Sequence, residues 1–203
     1  MNAARGGNGS GVQIIWRIID YTENDAFMNM AIDEAVSEAV GSGESLPTIR
    51  FYGWKPSAVS IGYFQSLDKE VDIASCERAG VDIVRRRTGG GAVYHDMVGE
   101  ITYSVIAPEA LFPKDILASY REICGWIIDS LAILGIKAEF KPINDIVVGN
   151  KKISGNAQTR RGGVLLQHGT GNPRGETATV GIHAGLHVLM RVAPRCSIRL
   201  KGY

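Results

Sequence analysis

Residues Arg85 to Asp96 read RRRTGGGAVYHD, which sets three guanidinium groups directly before three glycines. Glycine lets backbone N–H groups approach a ligand with no Cβ in the way, and arginine adds a planar, permanently charged fork. Together they read as a cradle for a phosphate or another anion; the alternative is a glycine hairpin beside a solvated arginine stripe. The run is not a P-loop, because no Gly-Lys-Ser/Thr follows, and it lacks the GxGxxG spacing of a dinucleotide fold. A second cluster, Asn144 to Thr170, carries Asn144, Asp145, Lys151, Lys152, Gln158, Arg160, Arg161 and His168 among short apolar runs. Each of these is weak alone, and His168 fits a structural histidine as well as a ligand contact. Their occurrence in one chain with the first cluster gives them weight.

These residues need a scaffold, and the chain is long enough for one sizeable core: 203 residues, 45% hydrophobic and 21% charged. Lys and Arg number 22 against 21 Asp and Glu, so no global charge excess points to a nucleic-acid partner. The most apolar long segment, residues 116–136, contains Arg121, Glu122 and Asp129, which marks a helix in water and not a membrane span. The apolar residues near the N-terminus are broken by Arg17 and lack a following cleavage site, against a secretory signal. Cys76, Cys124 and Cys196 form neither a CxxC pair nor an even set, so packing thiols in a reducing cytoplasm are expected.

Residues 1–12, rich in Gly, Asn and Ser, read as a flexible leader, and 13–170 as the main domain. Met28, Ile32, Ala35, Val36 and Ala39 recur at helical spacing and predict an amphipathic helix over 25–40. Residues 48–54 and 58–65 predict two strands, as a hairpin or adjacent pair. A helix over 69–78 and a strand over 81–86 lead into the glycines, with extended runs at 92–94 and 101–106. A long helix over 115–134 ends on Gly135, and strand-like segments follow at 137–140, 146–148 and 163–167. Strands outnumber helices and cluster, which predicts an α+β class. After Glu176 no acidic residue occurs, while Arg191, Arg195, Arg199 and Lys201 accumulate. Residues 171–203 therefore form an atypical basic tail, read as a frameshifted translation that the other two frames of the nucleotide sequence would test.

Taken together, the two clusters resemble the lipoate-protein ligase A family within the biotin and lipoate ligases. RRRTGGGAVYHD resembles that family's RRxxGGGxVxHD loop, and NDIVVGNKKISG its Asn-Asp segment followed by Lys-Ile-Ser-Gly. The likeness runs from Trp16 to Thr170 and includes NMAIDEAV, RFYGW and SIGYFQ. The resemblance implies a class II synthetase-like catalytic domain with a mixed, mostly antiparallel sheet packed by helices. It implies two steps: lipoate and ATP form lipoyl-AMP, then an acceptor lysine takes the lipoyl group. By resemblance Arg86 and Thr88 contact the adenylate, Gly89, Gly90 and Gly91 lie along the lipoyl chain and phosphate, and His95 closes the motif. Lys152 sits between the α-phosphate and the acyl carboxyl, and His168 lies near the ligand. The chemistry agrees, since one fixed ammonium there stabilises charge on the phosphate in the first step and on the acyl carbonyl in the second. Asp145, preceded by Asn144, would bind Mg²⁺ or orient the incoming amine. Tyr63, Val93 and Ile153 are candidates for the acyl tunnel. The implied partners are apo E2 lipoyl domains or a glycine-cleavage H protein, with a separate accessory-domain subunit completing the ligase, and no membrane.

Three rival functions remain. An octanoyltransferase shares the fold but needs a cysteine shortly upstream of the lysine segment, where this chain has Pro142-Ile143-Asn144-Asp145; no cysteine lies between Cys124 and Cys196. SGNAQTRRGGVLLQHGT nevertheless leans towards that branch. Biotin ligation would need a GRGR-type loop in place of RTGGG. An inactive or binding-only fragment is the third, because the family's apolar strand after His-Gly-Thr is replaced by a segment containing Pro173.

Overall fold

A strand buried on both faces must lie inside a sheet with cover on either side, and two stretches meet that condition. Thr48–Trp54 is buried at every position and Ile101–Pro108 at all but its last. In the computed structural model, which describes residues 14–171, these two strands pair antiparallel in the interior of a seven-stranded sheet. The elements in chain order are β1 (Arg17–Asn24), α1 (Ala26–Gly41), β2 (Thr48–Trp54), β3 (Ala58–Ile61), α2 (Leu67–Glu70), α3 (Ile73–Ala79), β4 (Asp82–Arg85), β5 (Val93–His95), β6 (Ile101–Pro108), α4 (Ile116–Ile133), β7 (Glu139–Lys141), β8 (Asp145–Val148), β9 (Lys151–Arg161) and β10 (Val164–Gly171). The large sheet runs β1-β2-β6-β10-β9-β8-β7 and is antiparallel at every pairing except β1 with β2. A small sheet has β3 at its centre, parallel to β4 and antiparallel to β5. This is the expected α+β architecture, a mixed and mostly antiparallel sheet packed by helices.

Side chains alternate across a strand, so each central strand feeds two cores. Ile49, Phe51, Tyr103, Val105 and Leu165 point to one face and pack with Ile123 of α4. Ile106, Val164 and Leu166 point to the other and pack with Val36 and Val40 of α1. Both long helices start on an aspartate that caps the first turn: Asp25 accepts from the Met28 N–H and Asp115 from the Ala118 N–H.

Two expectations about these elements are corrected. β2 and β3 are not a hairpin or neighbours, because both edges of β2 are occupied by β1 and β6 and β3 belongs to the small sheet. The helix expected over 69–78 is two short pieces, divided at Val71 and Asp72, where Asp72 caps α3 through the Ser75 N–H. β1 and the full length of β9 are additional. The leader at 1–12 lies outside the described residues, as does the basic tail apart from Gly171.

The buried stripe of α1 also differs from the apolar one read in the sequence. Ala26, Asn29, Asp33, Val36 and Val40 face inward, while Met28 is 51% exposed and Ala35 faces water. The helix is rotated because its inner face meets Arg50, a fully buried arginine in the middle of β2. Arg50 Nη1 pairs with Asp33 Oδ1 at 2.8 Å and donates to the Asn29 carbonyl at 3.0 Å, and Nη2 donates to Asn29 Oδ1 at 2.5 Å. Asp33 Oδ2 accepts from Ser104 at 2.7 Å and Tyr52 at 3.3 Å, and faces His168 Nδ1 at 3.6 Å. Burial alone would push the Asp33 carboxyl up, but His168, the Arg50 charge and Ser104 outweigh it and hold the group below the ordinary carboxylate range.

A paired buried charge whose partner is removed becomes an uncompensated one, so Asp33→Asn is expected to destabilise the fold by about 3–5 kcal/mol in chemical denaturation at neutral pH. Because the folded-state pKa is depressed, the Asp33 contribution is complete above the unfolded value, about 4, and is lost as pH falls through the folded value. The acid limb of the stability curve should flatten in the variant.

Candidate functional site

The glycine run connects the two outer strands of the small sheet and must cross the end of its middle strand. β4 pairs with β3 up to Ile61 opposite Arg85, and β5 returns with Val93 opposite Ser60. The crossing passes over Gly62, where a Cβ would run into the Gly90 carbonyl. Gly90 itself has φ +96°, the left-handed region that favours glycine.

The three arginines do not form a common stripe. Arg85 Nη1 donates to the carbonyls of Gly62, Tyr63 and Gln65 and pins the turn beneath the loop. Arg87 pairs with Glu34 on α1. Arg86 is 5% exposed; its Nη1 donates to the Ser60 carbonyl at 3.0 Å and Ser60 Oγ at 3.1 Å, and its Nη2 donates to the carbonyls of Gly89 at 2.8 Å and Gly91 at 2.7 Å. A trans peptide points its N–H opposite to its C=O. Holding those two carbonyls therefore turns the N–H groups of Gly90 and Ala92 away from the guanidinium. Burial is the largest influence on Arg86 and lowers its pKa, but a guanidinium still stays charged. Among the described residues no carboxylate oxygen lies within 4.0 Å of it.

Two acid–histidine–hydroxyl chains brace this loop. Glu100 Oε1 meets His95 Nδ1 at 2.6 Å, and His95 Nε2 meets Ser60 Oγ at 2.8 Å. On the other side Asp33 faces His168 Nδ1, whose Nε2 meets Thr88 Oγ1 at 2.6 Å. His95 also stacks on Trp54 of β2, ring centroids 3.9 Å apart, which joins the small sheet to the large one.

The lysine comes from the polar strand β9. Its side chain runs back over Gly155, where an ideal Cβ would lie 2.9 Å from Lys152 Cε and 3.0 Å from Nζ. That path carries Nζ to 2.7 Å from Oδ1 of Asp145, which lies opposite Gly155 on β8. Asn144 and Asn156 exchange amide-to-carbonyl hydrogen bonds and tie the entry of β8 to β9.

A cavity of about 300 Å³ lies between the glycine loop and the face of the large sheet. Arg86, Gly90, Gly91, His95, Asn144, Lys152 and His168 all line it; Thr88, Gly89 and Asp145 do not. Of the three tunnel candidates only Val93 reaches the cavity, since Tyr63 lies under Arg161 and Ile153 does not line it. Trp54, Ser60 and Asn156 contribute walls that the motifs did not reveal. Glu100 was also missed, although its position five residues after the motif histidine is a usable signal.

Two chemistries find little support in these side chains. Cys124 is fully buried in α4 with its thiol pushed up to about 12 by burial, the opposite of what a nucleophile needs, and Cys76 lies on α3 away from the cavity. Cys196 is outside the described residues. Among the described residues no three metal-ligating side chains cluster, and the Asp145 carboxylate faces Lys152.

A glycine loop and a lysine line one cavity, and the chain belongs to the lipoyl protein ligase A/B catalytic domain family, matched over residues 25–182. Among curated relatives, the octanoyltransferase LipM of Symbiobacterium thermophilum is 42% identical, covering 76% of this chain and 64% of its own length. That of Clostridioides difficile is 40% identical with the same coverage. The chain thus spans less than two thirds of the relatives it matches. Among solved structures, a lipoate protein ligase from T. acidophilum with bound lipoic acid is 28% identical at TM-score 0.75, covering 94% of this chain and 89% of that one. A lipoate-protein ligase A bound with ATP is 27% identical at TM-score 0.74, with the same coverage.

Gly155→Ala tests the lysine geometry. The clash falls on the movable end of Lys152 and not on backbone, so the melting temperature should barely change. Displacing Nζ by an ångström or so should lower acyl transfer about a hundredfold in a single-turnover assay.

Proposed function

We propose that this chain is the catalytic part of an ATP-dependent lipoate-protein ligase, acting within residues 13–170. The observation that carries the reading is that Lys152 and a buried guanidinium with no carboxylate contact line one cavity, which no described thiol lines. In the first step a lipoate carboxylate oxygen attacks the α-phosphorus of ATP and pyrophosphate leaves. Negative charge builds on the phosphate oxygens, facing Lys152 and the N–H groups that Arg86 turns outward. In the second step a neutral lysine amine attacks the acyl carbonyl, AMP leaves with the bonding electrons, and the amine proton goes to solvent. Lys152 supports both steps because phosphate and carbonyl share one mixed anhydride.

The T. acidophilum system, described as a bi-partite lipoate protein ligase and its E2 lipoyl domain, is 26% identical to this chain at TM-score 0.76. It supports a lipoyl domain as acceptor here and a second subunit as the accessory domain. Magnesium would enter with the nucleotide, which suits an ion that keeps much of its water and few protein ligands. No helix among the described residues is long and apolar enough to cross a membrane.

Octanoyl transfer from acyl carrier protein is the second reading, favoured by the names of the relatives at 40 to 42% identity. It requires a thioester-forming thiol, and the cavity's described lining offers Asn144 and Lys152 instead. Incubation with ATP, Mg²⁺, lipoate and apo acceptor, followed by intact mass, separates the two. A lipoyl adduct that depends on ATP is expected; octanoyl transfer from the carrier without ATP would replace the ligase reading. Lys152→Ala should lower both adenylation and transfer from preformed lipoyl-AMP by about 10²–10³-fold, the scale of losing one transition-state donor. Normal transfer in that variant sinks the role given to Lys152.

A further inference from the structure

Glu100 is a buried carboxylate that no motif includes and that the two chemical steps do not use. It lies 6% exposed and meets three donors: His95 Nδ1 at 2.6 Å, Thr102 Oγ1 at 3.2 Å and the Asp96 N–H at 3.3 Å. Thr102 in turn accepts from Trp54 Nε1 at 2.8 Å, and Trp54 stacks on His95. The His95 ring is thus clamped between a carboxylate and an indole.

The proton order along this chain follows from what each group can do. Arg86 only donates, so Ser60 Oγ accepts from it. In the order that satisfies every group, the Ser60 hydroxyl proton is directed to His95 Nε2, which accepts, and the ring proton sits on Nδ1 facing Glu100. In that order the hydrogen bonds of the sequence Arg86, Ser60, His95, Glu100 all run one way. It connects a cation at the cavity wall to a buried carboxylate through Ser60 and His95, and neighbouring bonds polarise one another in the same sense. Arg86 in turn holds the Gly89 and Gly91 carbonyls that set the loop.

We propose that Glu100, acting through His95 and Ser60, is the positioning group for Arg86 and so fixes the orientation of the glycine-loop N–H groups towards an anionic ligand. The ligand part of this inference rests on the adenylate reading given above; the orientation part does not.

Two measurements on the full chain keep those parts distinct. In ¹⁵N NMR the Arg86 Nη groups of the unmodified protein should be individually resolved, with His95 protonated at Nδ1. Ser60→Ala and Glu100→Gln should each average the Nη signals, and Ser60→Thr, which keeps the hydroxyl, should restore them. Resolved Nη signals in both disrupting variants overturn the proposal whatever the ligand. For the ligand, a non-hydrolysable lipoyl-adenylate analogue should bind Ser60→Ala and Glu100→Gln about tenfold more weakly, the worth of one hydrogen bond to a charged group, while uncharged lipoamide binds all forms alike. Glu100→Gln has a sign that a simple charge effect cannot share. Removing a negative charge near the site should tighten anion binding if Glu100 acts only through space, so tighter binding also overturns the proposal. If the unmodified protein binds lipoamide but not the adenylate analogue, the adenylate reading fails while the Nη result stands on its own.

Discussion

The ion pair between Arg50 and Asp33 is the contact on which the site depends. It joins the middle of an inner strand to the inward face of α1, and its second carboxylate oxygen is shared by Ser104 of β6, Tyr52 of β2 and the ring of His168 on β10. From there Thr88 continues to the glycine loop. A helix, three adjacent strands and the ligand-facing loop therefore converge on one carboxylate. Buried ion pairs are weak contributors to net stability, since desolvation offsets much of their attraction. Their use here is registry: Asp33 meets Arg50 only when α1 has one rotation and one height on the sheet.

The same economy governs the arginine triplet. Three consecutive guanidinium groups suggest a field of positive charge, yet Arg85 and Arg86 are taken up by backbone carbonyls and Arg87 by Glu34. Arg86 holds the glycine loop in shape and leaves its charge at the cavity wall. In the proposed reaction, ligand-facing hydrogen bonds fall to backbone N–H groups and to Lys152, whose long stem can follow a reacting group between two steps. Rigid dipoles and one movable charge suit a site where a phosphate and a carbonyl must be served in turn.

How much of this could be read from the residues alone depended on whether chemistry and burial agreed. β2 was legible at its true bounds, because seven residues buried on both faces leave an uninterrupted apolar and β-branched record around one arginine. The glycine loop and the lysine were legible because their residue types are scarce and their spacing is specific. β9 was not: KKISGNAQTRR is polar because one side faces the cavity, and polarity reads as loop. The inner face of α1 was misread for the same reason, since Asn29 and Asp33 occupy core positions that periodicity assigns to apolar residues. Glu100 and Ser60 stayed hidden because a lone acid and a lone hydroxyl acquire meaning only through a histidine 5 and 35 positions away. Pairing between strands was least legible of all, as β2 pairs with β6 while the strands between them in the chain, β3, β4 and β5, make a sheet of their own.

Lys152 owes its direction to an absence, the hydrogen that stands for a side chain at Gly155. The lysine is the residue a survey of related genes would track, and the glycine carries no charge, no hydrogen-bonding side chain and no place in the core. A lineage could keep each arginine, histidine, aspartate and lysine of both motifs, fold well, and still fall silent through one methyl group. Whether a descendant of this chain remains an enzyme is written as much in what Gly155 lacks as in what its neighbours present.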